Sequence, residues 1–307
     1  MPLPAGCESK TTRPMRASLI INPAAGRGAG QIHGPSIVGH LAQLGVTLQT
    51  FYSESPGGVT SLVKQQAQTG QDMLIVAGGD GSVHEAVNGW MQAGGGAPLA
   101  VIPIGTGNDF SKMLTSGSDW RTACNAIANG ETRAVDVGRC NDFYFANSLG
   151  IGFDAQVAHT ANRMQWLHGN LVYGIAVAGT LLFRHRTPTV HLQHAGGMLD
   201  TPITLIAVSN GCCEGGAFKL APHAKIDDGF LDVIVAQGLS RLGILALVPR
   251  VLRGSHLGRP GIMEIKTTGL LIESEAGLPV HADGETRYTD AKRLEIEILP
   301  LRLTVVA

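Results

Sequence analysis

Three short segments of this chain set polar side chains among glycines: Asn22-Pro-Ala-Ala-Gly-Arg-Gly-Ala-Gly30, Gly78-Gly-Asp-Gly81 and Pro103-Ile-Gly-Thr-Gly-Asn-Asp109. Glycine lets backbone N–H groups turn toward an anion and approach it closely, which is the chemistry of phosphate binding. No Gly-x4-Gly-Lys-Ser/Thr occurs, so the P-loop is excluded. Gly26-x-Gly28-x-Gly30-Gln31 lacks the last glycine of the dinucleotide fingerprint. Glycines follow strands in any α/β domain. Three such turns in succession, holding Asn22, Asp80 and Thr106 with Asn108 and Asp109, point to phosphate handling.

Each turn needs a strand before it and a helix after it. Ala17 to Ile21, Met73 to Ala77 and Leu99 to Ile102 are short apolar runs that end at the three turns, and Val46 to Phe51 is a further strand. The pattern predicts an α/β domain on a mostly parallel sheet, with ligand loops at the carboxyl ends of its strands. Near residue 132 the runs become β-branched, short and turn-bounded, which predicts an antiparallel, sandwich-like β-rich unit. Helical stretches interrupt it at about 155–183 and 240–253. The expected division is 14–133 for the α/β nucleotide-binding domain and 134–299 for the β-rich domain.

Composition narrows the function. The 307 residues carry 23 Lys+Arg against 24 Asp+Glu, a net charge of −1 with no electrostatic reason to bind nucleic acid. A 44% hydrophobic share excludes intrinsic disorder. Charged residues are only 15% and mean hydropathy is +0.14, consistent with greasy exposed surface. Five cysteines without metal-ligand spacing fit a reduced, cytoplasmic compartment. The apolar stretch Leu171–Phe183 is too short to cross about 30 Å of hydrocarbon and reads as a buried or pocket-lining helix, so no transmembrane span is expected.

In this order the motifs closely resemble the diacylglycerol kinase catalytic family, which includes the sphingosine and ceramide kinases. The resemblance rests on Asn22–Gly26, Gly78-Gly-Asp-Gly-Ser-Val-His-Glu85 and Pro103–Phe110. It continues through Gly150–Ala155, Asn210–Gly216, Pro222–Asp232 and Asp283-Gly-Glu285. It implies an ATP- and Mg²⁺-dependent kinase acting on a lipid hydroxyl at the inner face of the membrane, often as a homodimer. It also implies that residues 300–307 return as a strand to the first domain.

Residue by residue, the resemblance makes Asn22, Pro23, Ala24, Ala25, Gly26, Ser53, Gly78, Gly79, Gly81, Ser82, Glu85, Gly105 and Thr106 the nucleotide contacts. Glu285 resembles the general base of bacterial relatives, whereas in sphingosine kinases that role falls to the position of Asp80, so both are candidates beside Asp283. Asp283-Gly284 also reads simply as a hairpin turn. Asp154, with Asn108 and Asp109, is expected on the lipid side. Lys225, Asp228 and Phe230 resemble a structural magnesium position; an ordinary turn before the strand at Leu231 is the plainer reading. Two other functions stay open: an NAD kinase-like small-molecule kinase, and a nucleotide- or lipid-binding regulator without catalysis.

Overall fold

The computed structural model describes residues 15–114, 119–153, 155–157 and 186–307. The helix expected over 155–183 lies, beyond residue 157, outside the described residues, as does Asp154.

Four strands form a parallel set in the order β2-β1-β3-β4: β1 (Arg16–Ile21), β2 (Thr47–Tyr52), β3 (Met73–Gly78) and β4 (Leu99–Pro103). β3 and β4 are buried at every residue, which is why they read as continuous apolar runs, while β2, at the sheet edge, is half exposed. Alternate side chains face opposite layers. Ile20, Leu74, Val76 and Val101 pack on α2 (Gly58–Gln66) and α3 (Asp80–Gln92). Leu19, Ile21, Ile75 and Ile102 pack on α1 (Ala25–Gln43) and α5 (Trp120–Asn129). Between β4 and α5 lies the short α4 (Asp109–Leu114).

The β-rich half comprises β5 (Thr132–Cys140), β6 (Phe143–Phe145), β7 (Ser148–Gly152), β8 (Thr189–His194), β9 (Gly197–Ser209), β10 (Leu231–Gln237), β11 (Ile262–Thr267) and β12 (Gly269–Ala282). Their antiparallel pairs enclose a second core around Phe145, Leu149, Val233, Ile272 and Leu294. A helix, α6 (Arg241–Arg253), is capped by Ser240, whose side chain accepts from the Gly243 N–H, and ends at Gly254 in the left-handed region.

The last strand, β13 (Glu285–Val306), joins the two halves. It pairs antiparallel with β12 and β5, then runs parallel to β4 with Val305 opposite Leu99. Apolar patterning reads two strands here, 294–299 and 301–306; the structure has one, with a register shift against β5 between Leu299 and Leu303. Asp136, wholly buried, holds that irregularity: its Oδ1 accepts from Leu301 N at 2.7 Å and its Oδ2 from Gly229 N at 2.7 Å. Leu301 has a φ of 48°, a conformation that needs such support. Replacing Asp136 by Ala strands two N–H groups, so we expect Asp136→Ala to lose about 3 kcal/mol or more in urea unfolding. A midpoint equal to wild type would show that the bulge does not depend on the carboxylate.

Candidate active site

At the carboxyl ends of β1, β3 and β4 the three glycine turns touch one another. Asn22 caps its own turn, its Oδ1 accepting from Ala24 N at 3.0 Å, and its Nδ2 donates to Ser82 Oγ at 2.9 Å. A Cβ on Gly26 would lie 2.1 Å from the Ile104 carbonyl oxygen, and one on Gly105 would lie 2.4 Å from Gly79 Cα. At those contacts the backbones are too close for any side chain, which is the physical requirement for glycine. Gly78 lies beneath this contact, its carbonyl accepting from Ile104 N, and is outside the cleft lining.

Asp80 begins α3 and fastens the second turn to the third. Its Oδ2 accepts from Asn108 N at 2.7 Å and its Oδ1 from Asp109 N at 2.6 Å. Burial, reinforced by the neighbouring charge of Asp109, raises its pKa from the ordinary 3.8 to about 6, while the two backbone donors pull the other way. Between those values the folded chain keeps a proton that the unfolded chain has released. The Asp80 contribution to stability is therefore complete below pH 3.8 and lost as pH rises through about 6. In thermal melts the wild-type advantage over Asp80→Asn should shrink across that interval and level off above it. An advantage that grows with pH would reverse the sign assigned here.

Asn108, with a φ of 53°, closes the third turn by two hydrogen bonds to Gly105. Asp109 reaches into the second half, both oxygens accepting from Gly216 N at 3.0 Å. Glu85, at the cleft wall, caps α2, accepting from Gly57 N at 2.9 Å and Val59 N at 3.0 Å.

From the other side comes the hairpin between β12 and β13. Asp283 and Gly284 form its two-residue loop, with φ of 50° and 85° and Ala282 paired with Glu285. The buried Asp283 carboxylate accepts from the backbone N–H groups of Ala146, Asn147 and Ser148 at 2.8–3.1 Å. Its Oδ2 is also 2.9 Å from His84 Nδ1. Asn88 Nδ2 lies 3.4 Å from His84 Nε2, an arrangement that assigns the ring proton to Nδ1, facing Asp283. The hairpin is thereby locked, and the exposed Glu285 is thrown forward until its Oε1 fills the space a Cβ on Gly81 would take, 2.6 Å away.

These elements line one cleft of about 980 Å³. Asn22, Pro23, Ala24, Ala25, Gly26, Ser53, Gly79, Asp80, Gly81, Ser82, Glu85, Gly105, Thr106, Asp109, Asp283 and Glu285 all face it; Asn108 does not. Among the described residues that line it, Lys112 is the only lysine or arginine, its Nζ 3.4 Å from Asp109 and 3.2 Å from the Gly216 carbonyl oxygen. Lys112 and His84 were not legible as site residues, because neither lies in a glycine turn; Glu214 does, directly before Gly215 and Gly216, and that was the signal to its place at the cleft. His84 and Glu85 sit inside a quoted motif, yet only the tertiary contacts separate their jobs.

Lys225, Asp228 and Phe230 do not line the cleft. Asp228 Oδ2 accepts from Lys266 Nζ at 2.7 Å and its Oδ1 from Phe230 N at 3.1 Å. A carboxylate already neutralised by an ammonium of the same chain does not, as arranged, fit a magnesium ion. No cluster of three or more His, Cys, Asp or Glu side chains suited to a metal occurs among the described residues. The cleft presents the carboxylates Asp80, Asp109 and Glu285, of which Asp109 is paired with Lys112. A magnesium ion carried on a nucleotide fits such a donor set, because it asks for one or two carboxylates beside phosphate and water.

The family model of the diacylglycerol kinase catalytic domain matches residues 16–140 of this chain. That of the YegS C-terminal NAD kinase beta sandwich-like domain matches residues 147–307. The diacylglycerol kinase of Bacillus subtilis is 29% identical over 88% of this chain and 89% of its own. That of Mycobacterium tuberculosis is 28% identical over 95% and 94%, and that of Staphylococcus aureus 30% over 88% and 86%. A crystal structure of a diacylglycerol kinase from Bacillus anthracis superposes with a TM-score of 0.74 at 26% identity, covering 97% of this chain and 98% of that one.

Proposed function

The chain belongs to the diacylglycerol kinase family and is a lipid kinase, and from that premise we propose that it transfers the γ-phosphate of ATP to the hydroxyl of a lipid at a membrane surface. The observation that carries the reading is the meeting, in one cleft, of three touching glycine turns with a carboxylate from the opposite half. Backbone N–H groups of the Asn22, Gly79 and Gly105 turns cradle the phosphates, and Ser53 and Thr106 lie at the cleft wall for the rest of the nucleotide. Magnesium, arriving with the nucleotide, supplies charge neutralisation, and Lys112 adds the ammonium of the chain.

Glu285 acts as the general base. Its carboxylate accepts the proton of the lipid hydroxyl as that oxygen bonds to the γ-phosphorus and the bond to ADP breaks. Asp80 is the less suited of the two candidates because both of its oxygens already accept from backbone N–H groups. Its part is to hold the second and third turns together. Asp283, likewise saturated, positions the hairpin that bears Glu285.

Membrane association is supported by α6. Leu242, Leu245 and Leu252 are exposed on it at 78, 52 and 41%, between Arg241 and Arg253. Exposed leucines with flanking arginines suit the boundary of an anionic lipid surface. No helix among the described residues is long and apolar enough to cross a membrane. The expected setting is the cytoplasmic face, where ATP is present, and by resemblance the working form is a homodimer.

The test is incubation with γ-labelled ATP and a total lipid extract in mixed micelles, followed by identification of the labelled product. A labelled lipid is expected. Nucleotide binding with no label in lipid would replace the kinase by a regulator; label in NAD instead would move the chain to the small-molecule kinases.

A further inference from the structure

Cys212 and Cys213 are neighbours in the chain, half-buried, with both thiols free, and the chemistry of the cleft makes no use of them. Their Sγ atoms are 3.1 Å apart, one thiol donating to the other. A disulfide bond spans about 2.05 Å, so the two sulfurs stand about 1 Å from bonding. The hydrogen bond from Cys213 favours the thiolate of Cys212 and draws its pKa down to about 6, against the opposing pull of burial. A half-buried cysteine that ionises near neutral pH is a nucleophile. Cys124 and Cys140 differ: each is wholly buried, and burial pushes its thiol up to about 12.

The pair lies at the root of a strap that forms one wall of the cleft. Asn147 Nδ2 donates to the Cys213 carbonyl oxygen at 2.8 Å. Glu214 and Phe218 then exchange backbone bonds at 2.8 and 2.9 Å. Between them Gly216 N donates to the Asp109 carboxylate, and its carbonyl accepts from Lys112 Nζ at 3.2 Å. Asn147, Asp109, Lys112 and Gly216 all line the cleft. Neighbouring Cα atoms are about 3.8 Å apart, whereas disulfides usually join Cα atoms about 4.4–6.8 Å apart. Joining these sulfurs closes a small strained ring through the 212–213 peptide, and the peptide must turn to admit it. The Cys213 carbonyl and the strap that follows turn with it. Strained disulfides are the readily reduced ones, suited to a transient change rather than to a permanent staple.

We propose that Cys212 and Cys213 form a reversible oxidation site for small disulfides, and that closing it loosens the Gly216 contacts to Asp109 and Lys112 and weakens MgATP binding. The Cys212 thiolate attacks one sulfur of the small disulfide RSSR, forming a mixed disulfide and releasing RS⁻. Cys213 passes its proton to that RS⁻, attacks Cys212 Sγ and expels the second RS⁻, which takes from solvent the proton that Cys212 gave up. The protein loses two electrons, and RSSR gains them as two RSH. The modification stands on the two thiols alone; only its consequence for turnover rests on the kinase reading above.

The test incubates the full reduced chain, freed of reductant, with excess oxidised glutathione near neutral pH. Peptide mass mapping and equilibrium binding of MgATP are the two readouts. The peptide bearing Cys212 and Cys213 should lose two hydrogens and retain no glutathione. The Kd for MgATP should rise about tenfold and return to its starting value in dithiothreitol. Cys213→Ser, which lacks the second thiol, should instead retain one glutathione on Cys212. A chain that keeps both thiols, or whose cross-link joins other cysteines, overturns the site. A 212–213 disulfide with unchanged MgATP affinity overturns its hold on the cleft. The comparison of oxidised with reduced wild type needs no variant to fold, and neither readout needs turnover, so failure of the kinase reading leaves both in force.

Discussion

Glu285→Gln is expected to lower kcat for lipid phosphorylation about 10²–10⁴-fold, the usual contribution of a general base, while ATP affinity and melting temperature stay at the wild-type values. Glu285 is exposed and belongs to no core cluster, so its loss has no route to the fold. The amide keeps the size and one acceptor oxygen but cannot take a proton from the hydroxyl. Single-turnover measurement at saturating ATP separates this step from nucleotide binding and product release. A variant that turns over within tenfold of wild type would remove Glu285 from the chemistry and return the role of base to Asp80.

Asp283→Ala, two residues away, should behave in the opposite way: a loss of about 3–5 kcal/mol of stability, with activity falling as a consequence. The substitution leaves three backbone N–H groups and the His84 ring without their acceptor inside a buried site. Denaturant titration reads the stability directly. An Asp283→Ala protein that unfolds at the wild-type midpoint would show that the hairpin is held by strand pairing alone. The pair of variants therefore separates a carboxylate that reacts from one that positions, although both belong to the same Asp-Gly-Glu tripeptide.

That tripeptide illustrates how far the sequence was legible. An Asp-Gly pair between apolar runs already implies a two-residue hairpin, because both residues must take positive φ. The glycines at 26, 79 and 105 were legible as sites of close approach, and the apolar runs before them as buried parallel strands. The acidic residues were far less so. Asp80, Glu85, Asp228 and Asp283 look equivalent on paper, yet they respectively bind a neighbouring loop, cap a helix, pair with Lys266 and clamp a hairpin. A carboxylate's role is set by the donors around it, and here they come from residues 28, 26, 38 and 136 positions away. β13 shows the same limit: Pro300 and Leu301 break the apolar alternation, and the strand continues only because Asp136 catches the irregular backbone.

What the order of residues settled on its own was local. Apolar runs of strand length, glycines where backbones must touch and a tight Asp-Gly turn are enforced by sterics within a few residues, so the two-part architecture and the touching glycine turns follow without coordinates. The division of labour among the carboxylates and the contact of Glu285 with Gly81 were decided by the fold alone. Each depends on bringing together groups far apart along the chain, in surroundings whose burial and donors exist only once both halves have packed.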